Sequence, residues 1–158
     1  MFMASLILII STALLLFYFQ ATCQKILRRK FDREYSRSIV NANRLEFPAV
    51  QKSLMDFDHS VDYARLRMTL RCDFLALTYL LKNAGNLGQR YSREELLLVI
   101  YSRSLFLSLF IRHLLKLREK PAILQLTAVL EYFANVVGQR VDRVRFGNLT
   151  PSDYLLSL

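Results

Sequence analysis

The sequence predicts an all-α protein in which one N-terminal transmembrane helix extends into a cytoplasmic bundle of about four to five helices. The first 24 residues carry no charged side chain. The 158 residues include only four glycines and three prolines, and the apolar residues between these breakers recur at helical spacing. We therefore expect a transmembrane anchor over 1–24, a basic juxtamembrane helix over 25–47 and a helical bundle domain over 48–158.

The anchor prediction depends on an apolar run of 18 residues from Phe2 to Phe19. A helix of that length approaches the roughly 30 Å thickness of the hydrocarbon core of a bilayer. A cleaved signal peptide is the main alternative, but the run has neither a positive segment before it nor a clear small-x-small cleavage site after it. Cys23 could be lipid-modified, yet the residues before it do not form a lipobox. The sequence therefore favours an uncleaved anchor.

A basic cluster follows the apolar run at once. It comprises Lys25, Arg28, Arg29, Lys30, Arg33 and Arg37. The positive-inside tendency places the N-terminus outside and the remainder in the cytoplasm. The net charge of +9 favours anionic partners, and anionic lipid headgroups are the nearest ones. Nucleic acid is the less favoured partner because no nucleic-acid-binding motif accompanies the charge.

The remaining helices are predicted from breakers and capping signals. The first helix should continue to about Leu45, because no breaker precedes Phe47 and Pro48. A short helix over 49–57 and a longer one from Val61 to about Ala84 follow. Ser92 and Glu95 form a capping box, the clearest local signal in the domain. That box opens a helix over 93 to about 118.

Two further helical segments complete the prediction. Pro121 begins the last long helix at a position where proline is favoured, and Gly138 lies near its end. A final short turn is expected over 154–158. No internal repeat or Gly/Ser/Pro-rich linker divides the chain, so one compact body is expected after the anchor.

The segment from Leu96 to Ile111 is apolar on nearly every side, which raises the question of a second membrane span. It has 16 residues with Arg103 near its middle, and a charge there costs at least about 2.5 kcal/mol on insertion scales. We therefore expect it to be the central helix of the bundle.

Arg103 needs a partner on such a helix. Within the bundle the candidate partners are carboxylates, namely Glu131, Asp73 and Asp142; a carboxylate of another protein is the alternative. Arg103, Phe106 and Phe110 together form the candidate partner interface, although core packing is the default role of such aromatic residues.

Signatures of catalysis, metal binding and cofactor binding are weak. The segment 56–62 resembles the first half of a calcium loop, but Val61 and Arg67 occupy positions that require glycine and glutamate. His113 could ligate a haem or pigment, although a histidine interacting with polar neighbours at a helix end is favoured. The two cysteines do not make a disulfide framework. We expect no catalytic residue, no metal site and no cofactor.

These observations favour a non-catalytic, single-pass accessory, assembly or tethering subunit of a larger membrane protein complex. One alternative is a membrane-bound enzyme or a cofactor-carrying subunit acting on a lipophilic substrate or in electron transfer, with His113, Arg103 or the acidic residues near His59 at its site. A second alternative is a basic adaptor for anionic lipid or nucleic acid.

Overall fold

The computed structural model describes residues 2–31, 33–56, 62–83 and 91–147. Within these ranges the chain forms helices and no strand, so the all-α prediction is confirmed. The helices are α1 Phe2–Leu27, α2 Ser36–Asn43, α3 Phe47–Asp56, α4 Tyr63–Asn83, α5 Arg93–Leu114 and α6 Lys120–Gly147. The turn predicted over 154–158 lies outside the described residues, as do most of the calcium-like segment and His59.

Helix α1 has an exposed apolar part and a packed end. Every side chain from Met3 to Tyr18 is exposed, whereas Cys23 is completely buried. The mean hydropathy of its most apolar stretch is 2.1, and the helix is long enough to cross a membrane. Signal sequences share this length and composition, so α1 is an apolar helix of the kind that serves as an anchor or as a signal.

The predicted continuation of the first helix to about Leu45 is wrong, because α1 ends at Leu27 and α2 begins at Ser36. The side chain of Asn135 explains where α2 starts. Its Oδ1 accepts hydrogen bonds of 2.9 Å from the backbone N–H groups of both Tyr35 and Ser36. An acceptor from α6 thus satisfies amides at the N-terminus of α2, and this tertiary contact could not be inferred from local sequence.

The central helix is α6 and not α5, which corrects a second prediction. Helix α6 packs against each of the other five helices. Its side chains Leu126, Leu130 and Phe133 are fully buried. It also passes the length and hydropathy test for a membrane span, but 72% of its apolar stretch is buried inside the protein. By length and hydropathy the described residues therefore contain two candidate spans, of which α1 is exposed and α6 is a core helix.

A second remote side chain positions α3. Oδ2 of Asp73, on α4, accepts from the backbone N–H groups of Glu46 at 2.9 Å and Phe47 at 2.7 Å. Asp73 is buried, and this burial raises the pKa of its carboxyl group, while the two backbone hydrogen bonds partly oppose the rise. Asp73 and Asn135 thus serve the same structural purpose at the starts of two different helices.

Arg140 joins three helices. Its Nη1 donates to the carbonyl oxygen of Leu81 at 2.6 Å, and its Nη2 lies 2.7 Å from both carboxylate oxygens of Glu95. Glu95 also completes the predicted capping box: its backbone N–H donates to the Ser92 hydroxyl, and its carboxylate accepts from the Ser92 backbone N–H. The capping box is confirmed, and the structure adds that its glutamate is also half of a buried ion pair.

Helices α1 and α5 run antiparallel. The Phe19 ring contacts the Tyr101 ring edge to face, with centroids 6.1 Å apart. Further along, Arg29 pairs with Glu94 at 3.1 Å. Moving toward the N-terminus of α1 therefore corresponds to moving toward the C-terminus of α5. The exposed part of α1 extends in the direction in which α5 runs from Tyr101 to Leu114.

Candidate functional site

The candidate site is a cleft between α4 and α5, which we call the α4–α5 cleft. It is lined by Arg67, Arg71 and Phe74 from α4 and by Arg103, Phe106 and Phe110 from α5. The apolar residues Ala64, Met68 and Leu75 of α4 complete the lining. Its volume is about 520 Å³. The structure thus places the three residues of the sequence-derived partner interface on one surface and adds two arginines and a phenylalanine to them.

Helical spacing explains why these side chains converge. Arg67 and Arg71 are four residues apart on α4, and Phe74 follows one turn later. On α5, Phe106 and Phe110 are also four residues apart, and Arg103 lies one turn before Phe106. Residues at spacings of three and four share one face of a helix, so each helix presents a single strip to the cleft.

The aromatic rings form an apolar floor that is fixed to the core. The Phe74 and Phe106 rings meet edge to face with centroids 5.7 Å apart, and Phe74 also packs against Phe133 of the central helix at 6.3 Å. Phe110 is 57% exposed at the rim. The floor is therefore rigid near its centre and open to the surroundings at one edge.

Among the residues that the structure describes, no carboxylate pairs with an arginine of the cleft. Within the same residues, Nη1 of Arg67 is buried and has no hydrogen-bond partner. No aspartate or glutamate is among the residues that line the cleft. A buried guanidinium N–H without an acceptor costs on the order of 1–3 kcal/mol, so Nη1 of Arg67 is an unfavourable feature of the packing beside the cleft.

Arg103 does not form the internal ion pair that the sequence favoured. It is exposed, and it pairs with no carboxylate in the part of the chain that the structure describes. Asp73 is occupied by the backbone amides at the start of α3, and Asp142 accepts a hydrogen bond of 3.0 Å from the Tyr35 hydroxyl. The reason for the difference is that α5 lies at the surface, where Arg103 reaches solvent without a partner.

The six residues predicted to bind the membrane surface are all exposed around the connection between α1 and α2. They are Lys25, Arg28, Arg29, Lys30, Arg33 and Arg37. Arg29 is the member with an ion pair to Glu94, but both side chains are about half exposed or more, so this pair adds little to stability. The cluster is therefore accessible to an anionic surface.

His113 lies in the last turn of α5 with a polar partner. Its Nδ1 is 3.0 Å from Oε1 of Glu119, and its side chain is 55% exposed. Among the described residues no group of three or more His, Cys, Asp or Glu side chains is placed to hold a metal ion. Cys23 is buried and Cys72 is exposed, and neither forms a disulfide.

Sequence reasoning missed Arg67, Arg71 and Phe74 as members of the site. Their spacing of four and three residues is visible in the sequence, but arginines on one face of a helix are usually exposed to solvent, so the spacing alone does not indicate a site. Only the placement of α4 against α5 shows that this face lies beside Arg103. The signal that could have found them is the repeated pairing of arginine with phenylalanine at helical spacing on two neighbouring helices.

Comparisons of this chain with protein-family models, with curated protein sequences and with solved structures found no match.

Proposed function

We propose that the protein is a single-pass, membrane-anchored, non-catalytic accessory or tethering subunit that holds its helical bundle at the cytoplasmic face of a membrane complex. The main support for this proposal is that α1 combines an exposed apolar part with an end that is packed into the bundle. Its side chains from Met3 to Tyr18 are exposed and uncharged, while its end is built into the bundle core through Cys23 and Phe19. A bundle fused rigidly to an apolar helix is suited to a fixed position at a bilayer.

The packed end of α1 supports an anchor over a cleaved signal. Cleavage near residues 20–23 would detach Phe19 from Tyr101, and it would remove or expose the fully buried Cys23. A signal peptide that is removed has no need of such contacts with the mature domain. The anchor proposal therefore accounts for burial that a signal peptide would leave unexplained.

The orientation follows from the exposed basic cluster. The positive-inside tendency assigns the side with Lys25 and Arg28 to the cytoplasm and the first residues of α1 to the opposite side. The cluster would then lie at the level of the cytoplasmic headgroups, where each basic side chain contributes on the order of 1 kcal/mol of attraction to an anionic leaflet.

The outward face of α5 supports an interaction role. It lies between the side that contacts α1, near Tyr101, and the side that contacts α4, near Phe106. Along this face run exposed apolar side chains at helical spacing, namely Leu96, Ile100, Leu107, Ile111 and Leu114. Arg103 interrupts this face between Ile100 and Leu107, so exposed apolar side chains flank one arginine, and exposed apolar patches with a polar border are typical of a protein or membrane contact. We infer that another membrane subunit covers this face.

The test is isolation of the full chain from its native membranes in a mild detergent, with quantification of co-purifying proteins. We expect a partner at a fixed ratio that is lost in Leu107→Asp. The matched control is Met55→Asp, which alters an equally exposed apolar residue on α3 and should keep the partner. A lone chain that carries a pigment or metal would contradict the proposal and favour the cofactor-carrying alternative.

A further inference from the structure

The α4–α5 cleft is a groove between two antiparallel helices that both rest on the central helix. Helices α4 and α5 each pack closely on α6 but only slightly on each other. The Phe74 and Phe106 rings meet across the groove. The Tyr91 hydroxyl, just before α5, donates to the carbonyl oxygen of Thr78, late in α4, so the two helices run in opposite directions. The groove therefore follows both helix axes for several turns.

The floor of this groove is apolar, and apolar side chains stand exposed at both of its rims. Phe74 is only 7% exposed and Phe106 is partly buried, so these two rings close the bottom. Met68 and Leu75 on the α4 rim and Phe110 on the α5 rim are each more than half exposed. Exposed apolar side chains grouped around a groove are typical of a docking site for another apolar surface.

The arginines of the groove lie at separate levels along it. With Phe74 level with Phe106 and a rise of about 1.5 Å per residue, Arg103 is about 9 Å from Arg71 and about 15 Å from Arg67 along the helix axes. No carboxylate of the described residues lines the cleft. One compact anion cannot reach all three guanidinium groups, whereas carboxylates that are distributed along a chain can pair with them one by one. The charge of the lining therefore complements an extended acidic partner.

We infer that the α4–α5 cleft binds an amphipathic helix of a partner protein, in which acidic side chains flank an apolar stripe. The apolar side chains of that helix insert between Met68, Leu75 and Phe110. Its carboxylates pair with the exposed guanidinium groups of Arg71 and Arg103. This inference rests on the proposed interaction role, and it names the chemistry of a partner at a second surface beside the outward face of α5.

A helix fits this groove better than an extended peptide or a nucleic acid. An extended peptide binds by adding a strand to the edge of a sheet, and the described residues form no strand. Nucleic acid bases stack on exposed aromatic faces, but of the three rings that line the cleft Phe110 alone is largely exposed. Helix α1 contributes no side chain to the lining, so the groove is open to a partner.

The experiment measures binding of a synthetic peptide to the full chain in a non-ionic detergent by fluorescence anisotropy. The probe is a labelled peptide of about four helical turns, with leucines at spacings of three and four and glutamates on both sides of them. One matched peptide has glutamines in place of the glutamates, and another has a central proline that prevents the helix. We expect saturable binding of the probe and at least about tenfold weaker binding of both matched peptides. No saturable binding of the probe, or equal binding of the three peptides, would overturn the inference.

Charge reversal separates the cleft from general surface charge. Arg71→Glu and Arg103→Glu should each raise the Kd of the probe about tenfold, because each replaces an attraction with a repulsion. A peptide with lysines in place of the glutamates should bind these variants better than it binds the wild type. Arg93→Glu is the matched control, since Arg93 is an exposed arginine of α5 that does not line the cleft. Similar losses in all three variants, or no loss in the two cleft variants, would reject the cleft as the site. Arg71 and Arg103 are exposed, so their substitution leaves the packing intact.

The apolar rim and the native partner provide two further readouts. Phe110→Ser should weaken binding of the probe severalfold without changing thermal unfolding, whereas Leu114→Ser, at an exposed position of α5 outside the cleft, should leave it unchanged. A photo-reactive group at position 110 in native membranes should crosslink to a protein segment in which acidic residues flank an apolar stripe, and Arg103→Glu should abolish that crosslink. A crosslink to lipid, to nucleic acid or to a second copy of this chain would overturn the inference.

The failure of this inference can be distinguished from the failure of the proposed function. The peptide assay needs no bilayer, so its result is independent of anchoring by α1. Absence of peptide binding, in a chain whose native partner is still lost in Leu107→Asp, rejects this inference alone. Isolation of a lone chain from native membranes rejects the interaction role, and this inference with it.

Discussion

The rings of Phe19 and Tyr101 meet edge to face, with centroids 6.1 Å apart, at the point where α1 joins the bundle. One turn further along α1, Cys23 is completely buried, and beyond the end of the helix Phe31 packs against Tyr132 at 5.3 Å. Burial and the neighbouring carboxylate of Glu94 raise the pKa of Tyr132 to about 12, so this phenol stays neutral at physiological pH. The apolar helix and the bundle therefore share one core.

This shared core predicts that a substitution in α1 destabilises the bundle. Phe19→Ala should lower the free energy of unfolding of the full chain in detergent by about 1–2 kcal/mol, because it removes a partly buried ring and its aromatic contact. Phe17→Ala is the matched control: Phe17 is 72% exposed, and its loss should change stability by less than about 0.5 kcal/mol. Equal effects of the two variants would show that α1 and the bundle are energetically independent.

The ion pair between Arg140 and Glu95 should be the polar contact that is most sensitive to truncation. Their side chains are only 14% and 7% exposed. Arg140→Ala leaves Glu95 as a buried, uncompensated charge, so we expect a loss of about 3–5 kcal/mol in thermal or denaturant unfolding. Arg143→Ala removes an exposed arginine from the same helix and should stay within about 0.5 kcal/mol of the wild type. A loss below about 1 kcal/mol for Arg140→Ala would contradict this assignment.

Asp73 predicts a pH dependence with a defined sign. Its pKa is raised in the folded state by burial, so the native protein holds a proton at pH values where the unfolded chain, with a pKa of about 3.9, has lost it. Stability therefore falls as pH rises from about 4 through the folded pKa. Asp73→Asn keeps an acceptor oxygen without a charge. Its stability should match that of the wild type near pH 3 and exceed it near pH 7.

The comparison of unfolding free energies across this pH range checks the prediction. Asp73→Ala is the second variant, and near pH 3 it should be about 1–3 kcal/mol less stable than the wild type because the amides of Glu46 and Phe47 lose their acceptor. If Asp73→Asn became less stable than the wild type as pH rose, the carboxylate would be net stabilising and the account would be wrong.

Gly138 should resist replacement although it lies inside a helix. A Cβ at this position would overlap with Cβ of Tyr35 and would come within 3.0 Å of its Cγ. Helix propensity alone favours alanine over glycine by about 1 kcal/mol. We expect the cost of the steric overlap to exceed the gain in helix propensity. Gly138→Ala should therefore lower the free energy of unfolding by about 1–3 kcal/mol in denaturant unfolding. A gain in stability would show that α2 is not packed this closely on α6.

The features that were predictable from sequence are the local ones. The capping box at Ser92 and Glu95 depends on residues three positions apart, and the helical segments follow from apolar spacing and the scarcity of breakers. The break between α1 and α2 depends on Asn135, which is about 100 residues away from Tyr35. No local pattern contains that information.

The same limit applies to the central helix and to the cleft. Both α5 and α6 are apolar, and which of them is surrounded depends on how all the helices pack. The sequence predicts an internal partner for Arg103 because it predicts that the other helices surround α5. With α5 at the surface, Arg103 instead joins Arg67 and Arg71 from a helix about 30 residues earlier in the chain.

The most direct test of membrane anchoring by α1 is extraction of native membranes with alkaline carbonate, combined with the intact mass of the retained chain. We expect the full chain, including Phe2 and Cys23, to remain in the membrane fraction. Leu14→Lys, which places a charge within the exposed apolar part of α1 at a cost of about 2.5–3.5 kcal/mol, should be released, whereas Met55→Lys on α3 should be retained. Complete release of the wild-type chain, or a retained mass that lacks the first 20 or so residues of a cleaved signal, would contradict anchoring by α1.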